Sequence, residues 1–260
     1  MKLGTLVSTT IMGLMLSTSL TLAGPETVSG PGANPECFAP WDADTKYMQW
    51  SAKEGPYKIA VVNGFVGNGW RIQMIKTAKA FAEDPSMKDK IAEFKVVSTG
   101  TDAPAQLGAI EDFINQGYDA IVTIAVAPEG FDRVIRLADK NDVVLVPFDN
   151  VLDTDAVMQV NEDQLLMGRT WAEFALKELA AKGITSGDIL EVRGLAGNSV
   201  DRDRSIGINE VLEADDGDWN VTQVVGNWDD GTAQKVVADA IAVHGEFDAI
   251  VAQGGTVGVV

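Results

Sequence analysis

Short apolar runs alternate with helical patterns along most of this chain, and this alternation restricts its fold more than any other feature. The runs in the first half are KIAVV (58–62), FKVVS (94–98), AIVTIAV (120–126) and VVLVPF (143–148). They are rich in β-branched residues, and strands buried on both faces have such compositions because helices cover both sides of a parallel sheet. The sequence therefore predicts an α/β fold with parallel sheets flanked by helices.

The alternation repeats after DNVLDTDA (149–156), an acidic and turn-rich stretch that we interpret as a crossing between two lobes. The second series is predicted to contain a strand at VMQV (157–160), a helix from about Asp163 to Ala181, a strand at ILEVRG (189–194), a helix around Ile208 to Leu212, a strand at VTQVVGN (221–227), a helix from Ala233 to Ala242 and a strand at AIVAQG (249–254). We therefore predict an N-terminal α/β lobe at 57–155 and a C-terminal α/β lobe at 156–260. Since the last residues read VAQGGTVGVV, where a helix would begin, we expect the second lobe to be incomplete and the sequence to be truncated.

The first 23 residues have the composition of a secretory signal peptide. Lys2 is followed by an apolar stretch without acidic residues and by small residues at Thr21 and Ala23, which predicts cleavage after Ala23. Ser and Thr interrupt the apolar run, which favours removal over a membrane anchor. Gly24 stands where a bacterial lipoprotein has Cys. We expect a mature protein free in the periplasm, with 24–56 as an irregular extension packed on the first lobe.

Composition argues against several functional classes. The chain has 38 Asp plus Glu and 20 Lys plus Arg, a formal net charge of −18, which disfavours nucleic-acid binding. A single cysteine, Cys37, excludes an internal disulfide, and a single histidine, His244, excludes a His-rich metal site. The sequence contains neither GxSxG nor HExxH. We expect no catalytic residue, no metal and no cofactor.

A glycine-rich turn, NGFVGNGWR (63–71), follows the first strand and precedes a helix. Its glycines, Gly64, Gly67 and Gly69, have the order G-x-x-G-x-G, whereas a dinucleotide fingerprint has G-x-G-x-x-G. The first acid after the next strand is Asp102, too far along the chain for the ribose contact of that fingerprint. We interpret the glycines as residues that give the loop room to turn at the mouth of a cleft.

Polar and aromatic residues follow several predicted strands of both lobes. Ligands of open α/β sheets bind beyond the carboxyl ends of the strands, so these residues predict one ligand site between the lobes. The candidate ligand-binding residues are Asn68, Trp70, Arg71, Asp149, Asn150, Arg204, Asn227 and Trp228. Carboxylate, amide and guanidinium groups pair with hydroxyls, and indole rings pack on the C–H faces of sugars, so we expect a polyhydroxylated ligand.

Structural roles remain open for four of these residues. Trp70 and Trp228 fit core or rim packing, and Asp149 fits capping or hinge hydrogen bonds. Arg204 fits an ion pair with Asp201 or Asp203. Two further tryptophans, Trp171 and Trp219, fit a core helix face and a loop cover, and we assign them no ligand role.

Six segments, in this order and spacing, resemble a known family: NGFVGNGWRIQM, QGYDAIVTIAVAP, VPFDN, DQLLMG, VDRDRSIGI and VAQGGT. From about Tyr57 onward the chain is similar to periplasmic sugar-binding proteins of ABC transporters, the ribose-binding-like group of type I periplasmic binding proteins. The resemblance implies two Rossmann-like lobes, joined by three hinge strands, that close on a monosaccharide-like ligand. It also implies delivery of that sugar or related polar solute to an ABC transporter permease in the inner membrane, and we expect a monomer.

The resemblance assigns roles by position. Asn68 and Trp70 match a loop that offers a polar and an aromatic contact, and Asp149 matches an acid that grips sugar hydroxyls. Asn150 occupies a position where Arg is common, and Arg204 matches an arginine that precedes a helical glycine. Asn227 and Trp228 match a later contact loop.

Two departures from the family pattern leave the ligand open. Ala127 stands where an Asn often precedes the proline of the third loop, and Gly255 stands where an Asp often ends the last strand. The identity of the sugar is therefore not predicted, and a non-sugar solute or signalling molecule is an alternative.

Two other functional classes share features of this sequence. The effector-binding part of a LacI-like regulator has the same two-lobe layout, but it follows a DNA-binding helix-turn-helix. Residues 24–56 contain several prolines and only Lys46 and Lys53 as basic residues, which disfavours that reading. An exported hydrolase would need paired carboxylates, for example Asp229 with Asp230, but adjacent acids in turns are usually solvated.

Overall fold

The computed structural model describes residues 24–31 and 38–259. The predicted signal peptide (1–23) and Cys37 lie outside the described residues. The elements in chain order are β1 (Glu26–Val28), β2 (Tyr47–Gln49), β3 (Tyr57–Asn63), α1 (Gly69–Glu83), β4 (Ile91–Ser98), α2 (Ala103–Asn115), β5 (Ala120–Thr123), α3 (Asp132–Lys140), β6 (Val144–Pro147), α4 (Gln164–Ala181), β7 (Ser186–Arg193), α5 (Ser199–Ala214), β8 (Asp218–Val225), α6 (Asp230–His244), β9 (Ala249–Ala252) and a short 3-10 helix (Thr256–Gly258).

The first lobe is built on a four-stranded parallel sheet in the order β4-β3-β5-β6. Helices α2 and α3 cover one face, where Ile110 and Val134 pack with Ala60, Val62 and Ile121 in one buried cluster. On the opposite face, Val61 and Val122 line a groove together with Met74 of α1. The central strands are largely apolar, as the sequence predicts, because their side chains on both faces are withdrawn from water.

The second lobe is built on a three-stranded parallel sheet in the order β8-β7-β9. Helices α4 and α5 pack on one face around Ile189, Ile208 and Val251. Helix α6 packs on the other face through Ala233 and Val237. Two α/β lobes with parallel sheets confirm the predicted fold class.

Five of the helices begin with the same device at the carboxyl edge of a sheet. The side chains of the residues before α1, α2, α4, α5 and α6 each accept a hydrogen bond from a backbone N–H in the first turn; these residues are Asn68, Asp102, Asp163, Asn198 and Asp229. Such caps stabilise a helix by about 1 kcal/mol each. They fix where each helix starts and therefore which side chains stand at the ends of the strands.

Two predictions on the connecting segments are wrong. VMQV (157–160) is not a strand: only Val160 pairs with the sheet, through an isolated parallel bridge to Phe148, because the chain is passing between the lobes there. The extension is not wholly irregular, since β1 and β2 form an antiparallel pair. The extension contacts the first lobe through Lys53, whose Nζ donates a hydrogen bond to the backbone oxygen of Asp142.

The lobe boundary at 155/156 stays a prediction. No helix in the described part of the chain is both long and apolar enough to cross a membrane.

Helices α4 and α5 approach each other through two glycines. A Cβ atom at Gly168 would overlap the backbone oxygen of Arg204, and one at Gly207 would overlap the backbone oxygen of Leu165. Because the obstructing atoms are backbone, no side-chain rotation relieves the overlap. The spacing of these two helices therefore depends on both glycines, and it sets the position of Arg204.

We predict that Gly207→Ala lowers the free energy of unfolding by about 1–3 kcal/mol, the usual cost of overpacking. Urea denaturation measures this change. The control is Gly108→Ala in α2, where a Cβ meets nothing within 4 Å. Alanine is the better helix former, so this control is expected to raise stability by about 0.5–1 kcal/mol. Equal effects of the two substitutions would contradict the close-approach argument.

Candidate ligand-binding site

The carboxyl ends of the two sheets face each other and are in contact. Asn68 of the first lobe donates through Nδ2 to the backbone oxygen of Trp228, 2.9 Å away. Asn198 of the second lobe donates to the backbone oxygens of Ala125 and Val126 at 3.2 and 3.1 Å. The predicted site residues lie along this boundary, which we call the cleft.

The glycine-rich loop after β3 needs a glycine at its first position. A Cβ at Gly64 would lie 2.7 Å from the Cγ2 atom of Val126, in the loop after β5. The glycine therefore serves close packing of two loops at the cleft. Further along, Asn68 caps α1 by accepting from the backbone N–H of Arg71 at 2.9 Å. Both polar atoms of the Asn68 side chain are thus used in structural contacts.

Arg71 is a buried cation at the start of α1, with 4% of its surface exposed. Its Nη1 donates to Asn63 Oδ1 at 2.9 Å, and its guanidinium lies 5.1 Å from the ring centroid of Phe65 and 5.5 Å from that of Trp70. Burial lowers the pKa of Arg71 to about 10, and the carboxyl of Asp149 opposes this shift. Arg71 therefore remains charged at neutral pH.

Trp70 is 53% exposed and lines an apolar groove of about 540 Å³ on the first lobe. Val61, Met74, Val122 and Phe148 line the same groove. The ring thus has open surface, next to the Arg71 guanidinium. Its contact with a ligand stays a prediction.

Asp149 follows β6 and is held in the left-handed region, with φ at 60°. Its backbone N–H donates to the backbone oxygen of Val160 at 2.9 Å, which ties the crossing to the first sheet. Burial raises the pKa of its carboxyl to about 7, with a further contribution from the neighbouring carboxyl of Glu162. The guanidinium groups of Arg71 and Arg204 act in the opposite direction. The Asp149 carboxyl therefore lies within electrostatic reach of one arginine from each lobe.

Arg204, in α5, is held from three sides. Its Nε donates to Gln164 Oε1 at 2.7 Å, its Nη1 donates to the backbone oxygen of Gln253 at 3.2 Å, and its guanidinium lies 5.2 Å from the ring centroid of Trp171. Burial lowers its pKa, and Asp149 is the first of the acids that oppose this shift.

The ion pair considered for Arg204 is absent from the described hydrogen bonds and salt bridges. Asp201 pairs with Arg193 at 2.6 Å, and Asp203 pairs with Arg202 at 2.7 Å. Both acids therefore form ion pairs with other arginines. The described hydrogen bonds of Arg204 go instead to two neutral acceptors, the Gln164 amide and the Gln253 backbone oxygen.

Trp228 is packed between the lobes. Only 6% of its surface is exposed. Its ring fills the space beside Gly194 and Gly254, where a Cβ would overlap it. It also stacks on Phe65 of the first lobe, with ring centroids 6.4 Å apart and planes 11° apart. The structure thus gives the indole a packing role, and its contact with a sugar stays a prediction.

Asn227 precedes Trp228 in the same turn and is partly exposed, with φ at 55°. Both residues adopt positive φ, so the turn presents the tryptophan toward the first lobe. A ligand contact of Asn227 also stays a prediction.

Three buried side-chain atoms near the strand ends have no hydrogen-bond partner among the described residues. They are the acceptors Asn150 Oδ1 and Gln253 Oε1 and the donor Trp228 Nε1. Asn150 Nδ2 is bonded to the backbone oxygen of Ala125, so only its oxygen is left over. Leaving such atoms unpaired costs about 1–3 kcal/mol each, and hydroxyl groups, which both donate and accept, have the chemistry to pair with them.

The structure therefore places Arg71, Asp149 and Arg204 where their charges act on one another, and it gives Asn68 and Trp228 contacts between the lobes. Sequence reasoning missed Phe65, Glu162, Gln164 and Trp171 as residues that surround this cluster. Glu162 and Gln164 flank the N-cap of α4, and polar residues at a helix start just after a crossing are a signal that points to them. Within the described ranges, no group of three or more His, Cys, Asp or Glu is placed to hold a metal ion.

Residues 59–260 match the model of a protein family described as "Periplasmic binding protein domain". Over 150 residues the chain is 27% identical to the galactofuranose-binding protein of Escherichia coli, covering 56% of this chain and 45% of that protein. Over 163 residues it is 25% identical to the xylitol-binding protein of Mycolicibacterium smegmatis, covering 62% and 46%. The chain thus spans about half the length of these two relatives.

Among solved structures, the chain is similar to an ABC transporter solute-binding protein from Thermobispora bispora. The TM-score is 0.68 at 28% identity, and the match covers 78% of this chain and 62% of that chain. The two-lobe architecture is therefore shared with a protein of this transport class.

The Asp149 carboxyl predicts a pH dependence of stability in the unliganded protein. Its folded-state pKa of about 7 lies above the ordinary value of 3.8, so the folded state binds more protons than the unfolded state between these values. The stability that this carboxyl contributes is therefore fully present below pH 3.8, the ordinary pKa of Asp, and it is lost as the pH rises through about 7. We expect the melting temperature to fall from about pH 5 to about pH 8, and we expect Asp149→Asn to reduce this fall, as thermal denaturation would show.

The matched control is Asp153→Asn, which removes an exposed carboxylate that pairs with Arg202 at 3.3 Å. This variant should keep the pH dependence of the wild type. A full fall of melting temperature in Asp149→Asn would show that Asp149 does not titrate in this window.

Proposed function

The chain belongs to the periplasmic binding protein domain family, and we propose that it is an exported substrate-binding protein of an ABC transporter. It captures a small polar solute, with a monosaccharide as the first candidate, in the cleft between its two lobes. It then delivers that solute to a permease in the inner membrane.

The observation that carries this proposal is the cluster of Arg71, Asp149 and Arg204 at the strand ends of both lobes. Two guanidinium groups, each held by a buried amide, supply donors, and the Asp149 carboxyl, whose pKa both arginines lower, supplies an acceptor. Together these groups match the hydroxyl groups of a polyol. A ligand that bonds to both arginines bridges the lobes. It therefore favours the closed arrangement by its differential affinity for that state.

The relatives support a polyhydroxylated ligand. One is named for galactofuranose and another for xylitol, so a sugar is the first candidate and a linear polyol is the second. We further propose that the protein acts as a monomer in the periplasm, after removal of residues 1–23, and that it does not turn its ligand over.

We predict that at least one sugar or polyol raises the melting temperature of the full chain. A ligand that binds only the folded state adds RT ln(1 + [L]/Kd) to the free energy of unfolding, about 2.7 kcal/mol at a concentration of 100 Kd. A thermal-shift screen should include D-galactose, D-ribose, L-arabinose and xylitol, with amino acids as the comparison. Stabilisation by amino acids, with none by any sugar or polyol, would refute the sugar assignment.

We also predict that Trp70→Ala abolishes binding of the stabilising sugar while leaving the fold intact, because the exposed indole beside Arg71 offers a flat face to a sugar ring. Isothermal titration calorimetry measures the affinity, and circular dichroism monitors the fold. Trp41→Ala is the matched control, since Trp41 is also a largely exposed indole but belongs to the extension. If Trp70→Ala binds as the wild type does, the ring serves only the apolar groove.

A further inference from the structure

We infer that Gln164, at the first position of α4, is a positioning residue that fixes the direction in which Arg204 meets the ligand. The inference rests on the proposed function, because it concerns a residue of the same cleft. Among the described hydrogen bonds, Gln164 bonds to one predicted ligand-binding residue, Arg204.

Gln164 has the burial and the geometry for this role. Only 1% of its surface is exposed, and its Oε1 accepts from Arg204 Nε at 2.7 Å. Its amide nitrogen donates to Asn161 Oδ1 at 3.4 Å, which sets which end of the amide faces the arginine. A buried amide with both ends in use has little freedom to rotate, so it defines the plane of the guanidinium that it contacts.

A second contact of Arg204 is equally constrained. Its Nη1 donates to the backbone oxygen of Gln253, whose own side chain donates to Glu191 Oε1 at 3.1 Å and to the backbone oxygen of Asp201 at 3.2 Å. Glu191 is fully buried and also accepts from Gln223 Nε2 at 2.7 Å. This polar network under the cleft anchors the strand end that receives Arg204.

These contacts use two of the five N–H donors of the guanidinium and leave three for a ligand. Trp171 supports one face of the group. Because the two hydrogen-bond acceptors are neutral, they fix the orientation of Arg204 without neutralising its charge. The charge therefore stays available to Asp149 and to ligand oxygens.

The first lobe repeats this arrangement. Arg71 also donates to a neutral amide oxygen, that of the fully buried Asn63, and its guanidinium also lies over aromatic rings. Each lobe thus contributes one arginine held by an amide and an aromatic side chain. The recurrence in both lobes, on different pairs of elements, supports a positioning role for the amides over incidental packing.

A double-mutant cycle tests the inference. Kd is measured by calorimetry for whichever of D-galactose, D-ribose and xylitol stabilises the wild type most, in the wild type, Gln164→Leu, Arg204→Ala and the double variant. Gln164→Leu removes the hydrogen bond that the charged Arg204 donates to the amide oxygen. We therefore expect it to raise Kd about tenfold or more. If Gln164 acts through Arg204, it produces no further rise in the Arg204→Ala background, because interacting residues are non-additive.

The control is Gln159→Ala, which loses hydrogen bonds to Leu152 and Thr154 but does not contact Arg204. Its Kd should stay within about twofold of the wild type, since no ligand-facing group is released. Should Gln164→Leu fail to fold, Gln164→Asn keeps the amide but shortens its reach, and the same rise in Kd is expected.

An unchanged Kd in the Gln164 variants, or effects of Gln164→Leu and Arg204→Ala that add fully, would overturn the positioning role while leaving the proposed function intact. If no sugar or polyol of the thermal-shift screen binds the wild type, the sugar assignment fails first and the inference fails with it.

Discussion

The Asp149 carboxyl lies within electrostatic reach of two guanidinium groups, Arg71 of the first lobe and Arg204 of the second, and the rest of the site depends on these three ionisable groups. Burial raises the pKa of the carboxyl and lowers the pKa values of both arginines. The opposite charges offset part of the cost of burial at each group, so removing one of the three raises that cost for the other two. A ligand that takes hydrogen bonds from both arginines joins the lobes through the same groups.

The surrounding residues hold these charges in place and leave them unneutralised. Asn63 and Gln164 are neutral acceptors for the two arginines. Contacts between the lobes, from Asn68 to the Trp228 backbone and from Phe65 to the Trp228 ring, keep the two sheets' carboxyl edges together. Preorganised donors of this kind reduce the ordering cost that a ligand meets on binding.

Much of this arrangement follows from the sequence, because strands, caps and strand-end residues are local features. Apolar β-branched runs predict the parallel sheets, and the rule that ligands bind at strand ends brings Arg71, Asp149 and Arg204 together. Local features do not show long-range partners. Trp228 packs on a loop about 160 residues earlier, and Gln164 acquires its role from an arginine 40 residues later. VMQV lacks a neighbouring strand over most of its length, so its β propensity is not realised.

The most direct test of the account is a crystal structure of the full chain with its most stabilising sugar or polyol. The account predicts one ligand molecule in the cleft, with oxygen atoms within hydrogen-bond distance of the side chains of Arg71, Asp149 and Arg204. A ligand seated in the apolar groove lined by Trp70 and Phe148, or elsewhere on the surface, without contact to any of these three side chains would contradict it.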